Sequence, residues 1–175
     1  MTDMTTAPAR RLTGWRIAGW GSLAAILAIP ALAMQFTEEV AWSAGDFFVA
    51  ACLLALLGIG VELAVRMTGS MLSRLAMALL VAVAVFTIWA TLAVGIVGSE
   101  RQAINLAFLA IAGGGVIAAI AMRRRLASIA TLGAAAVLLT GLVAELTGTP
   151  DWGPVLFVAV LWCVPAVLAK LARPR

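Results

Sequence analysis

Long apolar runs separated by short polar breaks dominate the chain. The runs lie at Ile17–Met34, Phe47–Val65, Leu75–Val97, Ile104–Met122, Leu126–Leu146 and Val155–Leu171. At about 1.5 Å per residue each approaches or exceeds the roughly 30 Å of a bilayer's hydrocarbon core. They lack the period-two alternation of membrane strands, so they predict helices. The breaks are short enough to make consecutive helices antiparallel neighbours. The pattern predicts an all-α membrane protein, a six-transmembrane-helix bundle, with residues 1–175 forming a single integral membrane domain.

Composition supports the same reading. With 64% hydrophobic residues, 11% charged residues and a mean hydropathy of +1.11 over 175 residues, the chain has more apolar surface than a soluble domain of its length can bury. The net charge of +4 does not point to nucleic acid, because the basic residues cluster beside the apolar runs. Arg10, Arg11, Arg16, Arg66, Arg74, Arg123, Arg124, Arg125, Lys170, Arg173 and Arg175 all fall on one side of a six-span topology. The other side holds Glu38, Glu39, Asp46, Glu100, Glu145 and Asp151, with Arg101 its one basic residue. The positive-inside rule then places both termini in the cytoplasm. Arg10–Arg16, the apolar run after them and Ala31-Leu32-Ala33 also fit a secretory signal peptide, whose cleavage would leave five spans in the same orientation. The near-spanning length of the run favours a retained helix.

The polar residues at the outer side read first as caps. Ser43 with Asp46, Ser99 with Gln102, and Thr149 with Pro150 are expected to open the second, fourth and sixth spans. Trp42, Trp89 and Trp152 at one interface and Trp15 and Trp20 at the other form an aromatic belt, while Trp162 reads as packing. Association in lipid relies on small residues that let backbones approach. Ala110, Gly114 and Ala118 are therefore the expected packing stripe of the fourth span, Ala51 and Ala55 that of the second, and Gly21 and Ala25 that of the first. On this basis the fourth span should pack more closely than the third. Gly113-Gly114-Gly115 would also permit a break of the kind that transporters use, but close contact with a neighbour is the simpler reading. Pro30 and Pro165, near span ends, read as kinks.

Candidate chemistry is sparse. The chain has no histidine, which removes the usual haem ligands and neutral-pH proton shuttles. Intramembrane Ser–His, Asp–Asp and His–Glu protease sites are lacking, as is Cys-x-x-Cys. Cys52 and Cys163 read as buried structural thiols, with a disulfide between them left open. No catalytic residue, metal site or cofactor is expected, and the chain does not read as an enzyme. Glu62 is the one clearly embedded ionisable residue, about 24 Å along its helix from Asp46 and about 6 Å from Arg66. Gly58, Ala55 and Ala51 share its face. It is a candidate buried ion-pair or proton site with Arg66, or with Arg74 at the start of the next helix. Glu38, Glu39, Asp46 and Glu100 form a candidate outer acidic cluster able to attract a cation, against the plainer reading of a solvated loop.

The segment Met34-Gln35-Phe36-Thr37-Glu38-Glu39-Val40-Ala41-Trp42, followed by Gly45-Asp46-Phe47, resembles a loop in a family of small, functionally uncharacterised bacterial polytopic membrane proteins. Glu62-Leu63 with Arg66 and Gly95-Ile96-Val97-Gly98-Ser99-Glu100 extend the resemblance to about Asn105. It implies a multi-pass protein of the bacterial cytoplasmic (inner) membrane and supplies no activity, cofactor or partner. Two functions compete. The first is a non-catalytic accessory, assembly or sensory component that docks a membrane protein partner or a second copy within the lipid bilayer. The second is a small ion or solute transporter or channel with an acidic mouth, in which spans one to three and four to six are inverted repeats. A polar cavity reaching Glu62 or Gly114 would favour the second, a sealed apolar core the first.

Overall fold

The computed structural model describes residues 13–148 and 151–172. Among these residues six α-helices follow one another: α1 (Thr13–Ala33), α2 (Ala44–Met67), α3 (Met71–Ala93), α4 (Asn105–Ala121), α5 (Leu126–Leu146) and α6 (Trp152–Leu171), with a 3-10 turn at Arg123–Arg125 before α5. Among the described residues there is no strand. All the helices except α4 are long and apolar enough to cross a membrane, and α4 has 17 residues. Inside α2 the chain divides into two compact units, Met1–Ala51 and Cys52–Arg175.

In the first unit, α1 runs through Pro30 to Ala33 and carries no buried residue. Phe36 and Thr37 then donate backbone N–H bonds to Ala33 O and turn the chain. Ser43 and Asp46 cap the start of α2 reciprocally, as expected. The Asp46 N–H donates to Ser43 Oγ at 3.3 Å, and the Ser43 N–H and O–H donate to Asp46 Oδ2 at 2.7 and 2.8 Å. Trp42 meets Phe47 edge to face, with centroids 5.3 Å apart.

In the second unit, α3, α4, α5 and α6 close a ring. Packing runs from α3 to α4, α4 to α5, α5 to α6, and α6 back to α3. Short connections between successive helices give this ring the up-down-up-down order of a four-helix bundle. The inward faces are mostly small: Ala127, Ala130, Gly133, Ala134, Val137, Gly141 and Ala144 on α5, and Val155, Val158, Ala159, Trp162, Ala166 and Ala169 on α6. The part of α2 in this unit buries Gly58, Gly60 and Ala64. Gly60 lies against α3, where an added methyl would come within 2.5 Å of Val81 Cγ1.

Trp162 is the largest fully buried side chain, and it touches three helices besides its own. A methyl on Gly115 of α4 would sit 2.6 Å from Trp162 Cη2, and one on Gly133 of α5 would overlap the Cε3 edge of the ring. The indole N–H donates to Thr87 Oγ1 on α3 at 3.2 Å, while the Thr87 hydroxyl donates to Val83 O at 2.8 Å. The ring therefore fills a slot cut by two glycines, and its one polar atom is satisfied. The expectation that Trp162 serves packing matches this geometry.

The structure corrects several boundaries and faces. α3 ends at Ala93, not at Val97, because Gly95 takes a left-handed φ of +78° and ends the helical backbone. Ser99 does not cap α4, which begins at Asn105 without a side-chain cap. Thr149 and Pro150 lie outside the described residues, and Asp151 precedes α6 without a side-chain cap. Of the stripe Ala110, Gly114 and Ala118, only Ala118 packs against the core of the unit. Ala110 and Gly114 are exposed and nothing lies within 4 Å of a methyl built on Gly114. One residue turns a helix by about 100°, so the inward face is instead Phe108, Ala112, Gly115 and Ala119. α3 is also more buried than α4, with nine buried residues against five. Its bulky Trp89 points outward, while Ala76, Leu80, Ala84, Thr87 and Thr91 point in. Cys52 and Cys163 are exposed free thiols, neither buried nor joined.

Gly115→Leu should lower the melting temperature in detergent by several degrees, since its side chain must displace the indole, whereas Gly114→Leu should leave it nearly unchanged. A thermal-shift series on the two variants checks this. Equal effects would mean that the indole does not occupy the slot.

Candidate functional site

The candidate ion-pair residues sit on the hairpin formed by α2 and α3. Glu62 and Arg66, one helical turn apart, meet through Arg66 Nη2 and Glu62 Oε2 at 3.1 Å. Glu62 is largely covered and the guanidinium is 63% exposed, so the pair sits at the surface of the unit and not in its core. Such i,i+4 pairs contribute about 0.3–0.5 kcal/mol where water reaches them. Arg74 takes a different partner from the expected alternative. Its Nε–H donates to Thr68 O at 3.2 Å, and Thr68 Oγ1 donates to Ala64 O at 2.6 Å. Ser70 caps α3 by accepting from the Ser73 N–H at 3.1 Å. Together these bonds fix the turn between the two helices.

The acidic residues make local contacts. Asp46 is committed to the α2 cap, the Glu39 N–H is held by Thr37 Oγ1 at 3.2 Å, and Glu100 meets Arg101 at 3.5 Å on the surface. Glu145 accepts from the Trp152 indole N–H at 2.8 Å. Among the described residues no three of the acids and cysteines converge as metal ligands.

The strongest polar constellation is one that the sequence reading passed over. Asn105, the first residue of α4, is buried, and its amide uses every position it has. Oδ1 accepts from the Ile96 and Val97 N–H groups, both at 3.1 Å. Nδ2 donates to Val97 O at 3.0 Å and Ser99 O at 2.8 Å. The loop from α3 to α4 is thereby folded around one side chain, with Ile96 and Val97 tucked into the core at 1% and 0% exposure. Gly98 takes a φ of +63°, and any side chain there would overlap the Gln102 amide. A signal was present: an asparagine between Ile104 and Leu106, following Gly95-x-x-Gly98, is a polar residue in an apolar setting that needs backbone partners.

Thr87, Thr91 and Thr140 each return their hydroxyl to a carbonyl on their own helix. Among the described residues every buried side-chain nitrogen and oxygen has a hydrogen-bond partner. Comparison with protein families, curated proteins and solved structures found no match.

Asn105→Leu should strip the partners from two buried N–H groups and release the loop, at a cost on the order of 3 kcal/mol. Asn105→Asp should also destabilise, because a carboxylate cannot donate to Val97 O and Ser99 O. Hydrogen exchange at Ile96 and Val97 reports the release directly, and unchanged protection in Asn105→Leu would contradict the clamp.

Proposed function

We propose that the chain crosses the bacterial cytoplasmic membrane six times, with both termini in the cytoplasm. There it works as a non-catalytic accessory, assembly or sensory component that docks a partner within the bilayer. The observation that carries this reading is the closed core of the four-helix unit. Trp162, Phe108, Met77 and Leu80 fill it, and its polar groups Thr87, Thr91, Thr140 and Asn105 are all spent on internal hydrogen bonds. A solute path needs polar groups left free to meet the solute. The resemblance of the Met34–Trp42 loop and the Gly95–Glu100 segment to the bacterial membrane family supports the proposed location.

The shortness of α4 fits this topology. Its 17 residues rise about 25 Å, less than the roughly 30 Å of hydrocarbon. The buried loop before it makes up depth, since non-helical backbone is tolerated there when protein groups satisfy it. Asn105 supplies those groups. The exposed faces of the helices carry large apolar side chains such as Phe48, Ile59, Leu132 and Val160, and these would meet lipid or a partner.

Orientation is tested in a background with Cys52 and Cys163 replaced by alanine. Thr68→Cys should be shielded from an impermeant thiol reagent in intact cells and Ser99→Cys labelled. Labelling of both, or of neither until lysis, would overturn the six-span topology. Function is tested by purification from native membranes in mild detergent, where a stoichiometric protein partner is expected. A lone protein whose melting temperature rises with an ion or solute would contradict the accessory reading.

A further inference from the structure

The end of the four-helix unit that carries Arg123–Arg125 holds a cavity of about 410 Å³, and its lining is unlike that of the core. Thr68 and Gly69 from the turn after α2, Ser73 from the first turn of α3, and Arg123 and Arg124 from the 3-10 turn form its polar walls. Ala127 and Ala169 contribute apolar surface. Among the described residues no carboxylate lines it. Among the described residues, neither the Arg123 nor the Arg124 guanidinium has a hydrogen-bond or ion-pair partner. This contrasts with Arg66, Arg74 and Arg101, which all have one.

The donors suit an anion. Ser73 Oγ accepts from the Ser70 hydroxyl at 2.9 Å, which leaves its own proton free to donate. Leu126 and Ala127, which open α5, also line the cavity, and that helix begins without a side-chain cap. Two guanidiniums and a hydroxyl with no competing acid are complementary to a phosphate. The apolar side chains around this end, Met71, Leu72, Met122 and Leu171, are all exposed. They offer a greasy surround that a free phosphate does not need and acyl chains do.

We propose that this cavity binds the phosphate of an anionic glycerophospholipid, with Arg123 and Arg124 as the charged contacts and Ser73 as a neutral donor. The inference rests on the membrane reading of the apolar helices. The lipid would bridge the α2–α3 turn, the α4–α5 turn and the end of α6, tying together three segments that share no side-chain ion pair among the described residues. A basic pocket between helix ends at the membrane surface is the arrangement expected to distinguish anionic from zwitterionic headgroups.

The test uses the full chain extracted from membranes in mild detergent and stripped of lipid. Its thermal stability is titrated with phosphatidylglycerol, phosphatidylcholine or inorganic phosphate. Phosphatidylglycerol should raise the melting temperature saturably, with little effect from the other two. Arg123→Gln combined with Arg124→Gln should weaken the phosphatidylglycerol response at least tenfold, and Arg101→Gln, which removes a positive charge at the other end, should leave it intact. Ala172→Trp puts a bulky ring on the cavity lining without altering charge and should abolish the response, which covers the case in which the arginine variant does not fold. An equal response to phosphatidylcholine, or a phosphatidylglycerol response that survives Ala172→Trp, would overturn the site. A matching response to inorganic phosphate would overturn the lipid assignment. A chain recovered from the soluble fraction would instead refute the membrane reading itself.

Discussion

One indole ring ties the four-helix unit together. Trp162 on α6 fits where Gly115 on α4 and Gly133 on α5 leave room, and its N–H reaches Thr87 on α3. In lipid, apolar surface gains nothing by moving from acyl chains to a neighbouring helix, so association depends on packing contacts and hydrogen bonds. A large rigid ring in a slot of its own shape supplies many dispersion contacts at little cost in side-chain freedom. The hydroxyl of Thr87 makes the arrangement complete, since it accepts from the indole and donates to Val83 O. Truncating a buried aromatic of this kind costs about 3–5 kcal/mol. Gly141 repeats the device two turns along α5, against Val155 and Trp152.

The apolar runs located all six helices, because a long hydrophobic run bounded by polar residues has few other conformations open to it. Local pairs were equally legible: Ser43 with Asp46, and Glu62 with Arg66, lie three and four residues apart and need no tertiary knowledge. What could not be read was facing. In Gly113-Gly114-Gly115 each residue points about 100° from the next, and only the position of Trp162, contributed by another helix, selects Gly115. Ile96 and Val97 looked like the end of a span because they are apolar. They are buried for a different reason, as part of a loop that Asn105 holds.

The two ends of the unit differ in how their polar groups are used. At the Glu100 end the connection between α3 and α4 is saturated, with the Asn105 amide occupied on both its atoms. At the Arg123 end the Arg123 and Arg124 guanidiniums have no protein partner among the described residues, and they border a cavity. A satisfied network gives rigidity and little capacity to respond. Unpaired cations beside a cavity can take up a ligand. Rigidity in the core and at one end, with receptivity at the other, is consistent with the accessory role proposed above.

The central claim is that Trp162 and the glycines opposite it form a single packing unit, and a double-mutant cycle between Gly133→Ala and Trp162→Leu tests it most directly. Each change alone should lower the melting temperature in detergent, the first by crowding the indole and the second by emptying the slot. Together they should cost less than the sum of the two, because the added methyl then enters space that the indole has left. Strict additivity of the two losses would show that the residues do not share a contact and would contradict the account.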